Sequence, residues 1–546
     1  MNSQVEPQAP PRTDPSRETG ESSWATSLLL IIAVAAIVRL AALAGFEGSL
    51  QDGMTRIAMA RGWIVDGLPI FGRTLWPEGN YVLPAAVLLL WDNPYWGVRS
   101  LYAIVGLTNV WLAYRLGSAV NGRNAGAAAG WIVALTPLCI LTSTDLATSE
   151  APYISFILLA LLAVVRYSTR PDSWLAAAAG LSLTMATMFR FDGVYWAIPV
   201  ALSIALVARQ RGFAPSIAMR DVVILGVCSS IYPAALFLQW WLLYPNPFFI
   251  IDQAKHALQF FVDGKHPRWP NWLYQSYVVA FWPIATFVIL TPAVAALGWI
   301  GVFAAIRERA LKASALVAGL GIISAWLAYA AFTHKIQAQW RYALVLSVVL
   351  AVFSSRGTRV LSAYLNMSTR CVVVVVVLVA LAWQGFITYV AFVDSGTLTR
   401  QLAMLSPVRP DQFSSRAMLD WIDANLTGGS TLLLTPHARE QPYLVFHGDP
   451  RRTGRIVAQS YFETRDRVYT RESLTHELTQ KLKSAHYLAT STSLREIGLR
   501  DDMVRELVAP VKEPDGTYLW QGIRLRFVQR FGSNLLWEVL PAAMPG

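Results

Sequence analysis

The residues of this chain that could do chemistry stand in a few short connections between apolar runs. Asp52 lies in Gln51-Asp52-Gly53, just past the first run, and Glu78 follows Trp76-Pro77 farther along the same connection. A carboxylate so placed can take a proton from a hydroxyl nucleophile when its surroundings keep it a competent base. Asp145 and Glu150 stand together in the next such connection, between Thr142 and Tyr153. Bases occupy the later ones. Arg190 is in Arg190-Phe191-Asp192. A long aromatic stretch, 244–276, carries Lys255, His256, Lys265, His266 and Arg268. Lys335 precedes Trp340-Arg341-Tyr342. Arginine and lysine at such points are natural partners of phosphate.

Each residue also has a plainer reading. Asp52 can serve as the N-cap of the helix that follows it, and Glu78 can be a solvated loop acid. Glu150 opens an apolar run, where a carboxylate compensates the helix dipole. Arg190 can pair with Asp192 or snorkel, and the aromatic stretch can be an interfacial belt. The grouping is more informative than any single residue. Acids fall in the first two of these connections and bases in the third to fifth. The pattern suits an anionic lipid-linked donor held by the bases and a hydroxyl activated by an acid.

The elements that position these residues are membrane spans. Charged residues make up 14% of the 546 residues and apolar ones 55%, against about 25% charged in an average soluble protein. Apolar runs of membrane length cover about 25–46, 98–119, 125–142, 151–168, 173–189, 192–209, 221–243, 277–305, 313–332, 341–355 and 371–392. They predict a polytopic α-helical membrane protein with eleven transmembrane helices. Tyr81 to Trp91 is too short to cross and is expected to be interfacial or re-entrant. Cys139, Cys228 and Cys371 lie in apolar runs, so neither a disulfide nor a zinc site is expected. The net charge of +11 is scattered over short loops, which fits a charged bilayer surface and membrane lipids rather than nucleic acid.

Alternate connections carry Arg115 and Arg123; Arg166 and Arg170; Arg209, Arg211 and Arg220; Arg307, Arg309 and Lys312; and Arg356, Arg359 and Arg370. The positive-inside rule places these in the cytoplasm and the acid-bearing and aromatic connections outside. Residues 1–24, rich in Pro, Ser, Glu and Arg, are expected to be a disordered cytoplasmic tail. Residues 393–546 hold 36 charged residues, about 23% of that segment, against about 11% before it. The change marks a passage from lipid to water. Helix signals at 412–426 and 471–483 alternate with strand signals at 431–434, 455–458 and 486–489, and 524–528 with 535–539 reads as a hairpin. The segment is expected to be an extracytoplasmic α/β domain.

Arg39 followed by Asp52-Gly53, Ser149-Glu150-Ala151-Pro152, Arg190-Phe191-Asp192-Gly193 and Trp340-Arg341-Tyr342 resemble the GT-C superfamily, integral-membrane glycosyltransferases that use polyprenyl-phosphate sugars. Within it the chain is most similar to the protein O-mannosyltransferase and lipid A aminoarabinose transferase branch, over about residues 25–392. The resemblance implies Asp52 as catalytic base, Glu78 as a second catalytic acid, and Arg341 as the arginine that meets the donor phosphate. Asp145 and Glu150 match loosely. Two departures stand out: Trp76-Pro77-Glu78 replaces a His-Pro-Pro run, and Gly53 follows Asp52 where many relatives have a second acid.

The reading is an inverting hexosyl or pentosyl transfer from a polyprenyl-phosphate sugar donor to a hydroxyl of a lipid, glycan or protein acceptor. Asp145, Glu150, Arg190, Lys255, His256, Lys335, Arg341 and Tyr342 are the expected substrate-binding residues. No cofactor is required; a divalent metal can be held by the four acids but is not demanded. The expected location is a bacterial plasma membrane with the site facing outward. A transporter or flippase of a lipid-linked substrate is the alternative, expected to show repeated halves and polar or broken helices near the midplane. A reporter enzyme fused after Phe392 is expected to be active only when exported; activity of that fusion in the cytoplasm would overturn the sidedness of every candidate residue.

Overall fold

A computed structural model describes residues 19–45, 77–93, 96–243, 271–333, 336 and 338–393, together with parts of 53–64 and parts of the region 417–540. It is a helical bundle followed by a sheet. The helices are α1 (Thr19–Gly45), α2 (Gly79–Leu90), α3 (Trp96–Asn121), α4 (Arg123–Leu135), α5 (Pro137–Thr144), α6 (Glu150–Thr169), α7 (Ser173–Thr187), α8 (Ala197–Gln210), α9 (Pro215–Leu243), α10 (Asn271–Leu290), α11 (Pro292–Arg307), α12 (Ser314–Phe332), α13 (Trp340–Ala351), α14 (Ser354–Tyr364) and α15 (Thr369–Val393). A 3₁₀ turn, Phe191–Trp196, leads into α8.

Apolar composition decides that these segments are helices in lipid, because every backbone group must there be bonded within the segment. The chain is an integral membrane protein. The expected eleven spans are not eleven long helices, however. Among the described residues six helices are long and apolar enough to cross, or eight when each of two bent pairs is taken as one span. The single run 277–305 divides into α10 and α11 at Thr291, whose φ is +79°. The run 125–142 divides into α4 and α5, bent by 60° at Thr136-Pro137. Both breaks have one cause. Proline cannot donate the next ladder hydrogen bond, and it pushes the residue before it out of the α region. The run 341–355 ends early: α13 stops at Ala351, and α14 leaves at 57° as a polar helix carrying Arg356 and Arg359.

α6 is the hub, with 83% of its membrane window buried, whereas α15 lies at the periphery with 11%. The two ends of the bundle are chemically distinct. Asn121 donates to the Val352 carbonyl at 3.2 Å and accepts from Arg356 at 3.2 Å. Arg211 donates to the Thr169 carbonyl at 3.1 Å, and Arg356 pairs with Glu308. The ends of α3, α6, α8, α11 and α13 therefore gather at one pole. Glu150, at the start of α6, lies at the other, roughly 30 Å away along a helix of 20 residues.

Buried arginines hold the broken helices at that second pole. Arg39, in α1, is 1% exposed. Its Nε donates to Ser143 Oγ at 3.0 Å and its Nη1 to the carbonyls of Ala35 and Ala134, each at 3.3 Å. Ala134 is in the last turn of α4, where the proline break leaves carbonyls over. Gly106 has no room for a methyl beside Ser143 and the Arg39 guanidinium. Arg99 donates to the Thr144 carbonyl at 2.6 Å and to that of Leu43 at 3.3 Å, in the last turns of α5 and α1. Cations are favoured at such helix C-termini.

In the C-terminal region the described strands are β1 (Leu432–Leu434), β2 (Ile456–Ala458), β3 (Tyr487–Ser491), β4 (Val511–Lys512), β5 (Tyr518–Trp520), β6 (Ile523–Phe531) and β7 (Asn534–Val539). They form one sheet in the order β2-β1-β3-β7-β6-β5-β4, parallel among the first three and antiparallel thereafter. The expected strands are present, and the expected hairpin is β6–β7, longer than the sequence suggested. The helix signals at 412–426 and 471–483 fall mostly outside the described residues.

Arg39→Met is expected to leave a helix-end carbonyl and Ser143 without their charged donor, lowering stability by about 2 kcal/mol. Leu40→Met, at a 63% exposed neighbour, should be neutral. Thermal unfolding of both variants in detergent checks this, and equal midpoints would remove the role given to Arg39.

Candidate active site

The sequence after α5 turns sharply before α6 begins. Thr142, Ser143 and Thr144 bond back to the carbonyls of Leu138, Cys139 and Ile140, and Ala147 takes a left-handed φ of +49°. Asp145 Oδ1 accepts from the Leu146 amide at 2.7 Å. Arg56, among the described residues of the first connection, donates to the Ala147 carbonyl at 2.7 Å. Gly53 lies against the Leu146 carbonyl so closely that a Cβ could not fit. That contact leaves room only for glycine at this position.

The turn delivers Glu150, 2% exposed, into a cluster of charges. Its Oε1 accepts from Arg190 Nη1 at 3.4 Å and lies 3.8 Å from Arg341 Nε. Its Oε2 is buried without a hydrogen-bond partner among the described residues. Arg190 also grips Asp192 with two prongs, Nε to Oδ1 at 3.0 Å and Nη2 to Oδ2 at 3.1 Å. The guanidinium stacks on Tyr342 at 4.4 Å and Tyr153 at 5.2 Å. Trp196 Nε1 donates to the Tyr153 hydroxyl at 3.0 Å, fixing that ring. Burial opposes the Arg190 charge, but Asp192 and Glu150 outweigh it and hold the guanidinium protonated above its ordinary range. Arg341 Nε donates to Gln339 Oε1 at 2.8 Å, and the side chain is 25% exposed.

Glu78 occupies the N-cap position of α2, yet its carboxylate does not cap that helix. It accepts a hydrogen bond from the Tyr232 hydroxyl instead, and at 1% exposure it is no solvated loop acid. The backbone around it is stapled to the segment before Arg190. Gly79 N–H donates to Met188 O at 2.8 Å, and Asn80 Nδ2 donates to Phe189 O at 2.9 Å.

The structure thus brings Glu150, Arg190, Arg341 and Tyr342 into one cluster and sets Glu78 and Asp145 in the segments beside it. Asp52, Lys255, His256 and Lys335 lie outside the described residues. The ion pair offered as the plain reading of Arg190 is present, but it includes Glu150 as well. Sequence reasoning missed Tyr232 and Arg56. Among the described residues no three His, Cys, Asp or Glu side chains converge as metal ligands.

A family model for dolichyl-phosphate-mannose-protein mannosyltransferases matches residues 77–233, the stretch from Glu78 to Tyr232. ArnT from Cupriavidus metallidurans, crystallised bound to undecaprenyl phosphate, superposes with a TM-score of 0.53 at 14% identity, covering 95% of this chain and 99% of that one. The chain shares the fold of ArnT. ArnT in its apo state gives the same TM-score, covering 95% and 98%. The Archaeoglobus fulgidus oligosaccharyltransferase, in complex with Zn and sulfate, matches with a TM-score of 0.50 at 14% identity, over 85% of this chain and 68% of that one. A search of the curated proteins gives no match.

Within this bundle Arg190 is expected to be a structural keystone. Arg190→Lys cannot reproduce a two-pronged grip on Asp192 together with the bond to Glu150. It should destabilise the protein by about 3 kcal/mol, the scale of breaking a buried pair. Unfolding midpoints in detergent measure this, and a variant as stable as wild type would refute the keystone role.

Proposed function

We propose that this protein is a membrane glycosyltransferase that moves a sugar from a polyprenyl-phosphate-linked donor to a hydroxyl of a lipid, glycan or protein acceptor. The observation that carries the reading is the polar cluster at one pole of a GT-C bundle: a buried carboxylate bridging two arginines, with a second carboxylate held by a tyrosine in the adjoining segment. The sugar is a hexose or pentose, and the transfer inverts the anomeric centre. The site faces the extracytoplasmic side of a bacterial plasma membrane, opposite the pole that gathers the basic connections. Residues 393–546 share that side and help dock the acceptor, and residues 1–24 stay in the cytoplasm.

In this mechanism Asp52 takes the acceptor O–H proton. The oxygen forms a bond to the anomeric carbon, the bond from that carbon to the donor phosphate oxygen breaks, and polyprenyl phosphate leaves with the electron pair. Arg341, the more exposed of the two arginines, offsets the charge growing on the leaving phosphate. Lys335, Lys255 and His256 complete the anion-binding side. Arg190, already matched by two carboxylates, acts as a positioning residue. Glu78 is oriented by Tyr232 toward the acceptor. No resident cofactor is required.

Transfer of radiolabelled sugar from polyprenyl phosphate to the membrane's own acceptors is the test. Asp52→Asn should insert normally yet lose about 10²–10⁴ in rate, since a mere helix cap would survive that change. Arg341→Lys should raise the donor concentration needed for half-maximal transfer. Wild-type turnover by the first variant, or an unchanged donor dependence in the second, would remove that residue from the site.

A further inference from the structure

The opposite pole of the bundle holds a feature that the transfer reaction does not use. A cavity of about 450 Å³ opens there, lined by Asn121, Ser168, Arg211, Lys312, Arg356 and Arg359 among others. These residues come from separate connections: the end of α3, the last turn of α6, the turn after α8, the 3₁₀ turn Leu311–Ala313 before α12, and α14. Four of the lining side chains are cationic. Glu308, an acid beside them, is engaged with Arg356. Asn121 is spanned between the Val352 carbonyl and Arg356, which fixes one wall. Arg356 is largely buried, its side chain 12% exposed, while Arg211, Lys312 and Arg359 are exposed.

A general surplus of cytoplasmic charge explains basic loops but not their convergence. A surplus spread for topology alone would leave the cations far apart in solvent, where self-repulsion is least. Here cations from distant parts of the sequence face one concavity, with hydroxyl and amide groups from Ser168 and Asn121 in its wall. The volume is within the range of small-ligand sites. Basic pockets between membrane helices at this level suit phosphorylated lipid headgroups.

We infer that this cavity is a binding site for a phosphate-bearing anion, the headgroup of an anionic phospholipid or free inorganic phosphate. The site lies one membrane thickness from the candidate active site and stands independently of it. An occupant there clamps α14 and the turn before α12 to the ends of α3, α6 and α8, and so braces the helices whose other ends carry Glu150 and Arg341.

The purified full chain in detergent is titrated with phosphatidylglycerol, with phosphatidylcholine and with inorganic phosphate, and bound species are counted by native mass spectrometry. Lys312→Ala/Arg359→Ala is the test variant, since both side chains are exposed and neither supports the fold. Arg307→Ala/Arg309→Ala, basic residues of the same connection that do not line the cavity, is the control. Phosphatidylglycerol should be retained over phosphatidylcholine, and the test variant should weaken it by about tenfold with the control unchanged. Retention of phosphatidylglycerol alone identifies a lipid. Phosphate binding that is lost in the test variant, without lipid retention, identifies the free anion and equally supports the site. Equal losses in test and control variants, or no loss in either, would overturn the proposal, whatever the transfer assay shows.

Discussion

The double grip of Arg190 on Asp192 and Glu150 is the interaction on which the second pole depends. It joins the start of α6, the 3₁₀ turn before α8 and, through the Tyr342 ring, the start of α13. A guanidinium so enclosed loses its hydration, and only closely held carboxylates compensate that loss. Two aromatic faces add to the compensation. The elements joined are far apart in sequence, so the cluster forms only when the whole bundle has closed. Site and fold are therefore specified by the same contacts.

The turn that supplies Glu150 needs its own support, because it follows a broken helix. In lipid, backbone groups freed by a break must find partners inside the protein. Arg39 and Arg99 serve this need at the ends of α4 and α5, Arg56 bonds the Ala147 carbonyl in the turn, and Gly53 lets the chain pack against Leu146. A charge inside a span usually marks a transport path or a relay. Here Arg39 has a structural assignment, since the carbonyls and hydroxyl it meets belong to the ends of α4 and α5.

Much of this was legible in the sequence, and the reasons differ by element. Span positions were readable because lipid thickness sets a length that apolar runs must meet, and α3, α6 and α12 lie where hydropathy puts them. The break at Thr291 was missed although its cause, Thr291-Pro292, is local, because averaging apolarity across 277–305 hides one residue. Glu150, Arg190 and Arg341 were found as residues with suitable chemistry, but their mutual contact depends on three distant turns and no spacing encodes it. Tyr232 was invisible for a different reason: within α9 it is one aromatic among many, and only the fold brings it to Glu78. Gly53 seemed a departure from the family pattern, and packing against Leu146 supplies its reason.

The cluster at the second pole has a further property. Arg190 and Arg341 carry two positive charges, and Glu150 and Asp192 two negative ones, so the four described charges cancel. The field of these four charges alone falls off within a few ångströms and adds little steering from afar. A lipid-anchored ligand has no need of steering, because its tail confines it to two dimensions. Encounter would then be governed by lateral diffusion and lipid viscosity.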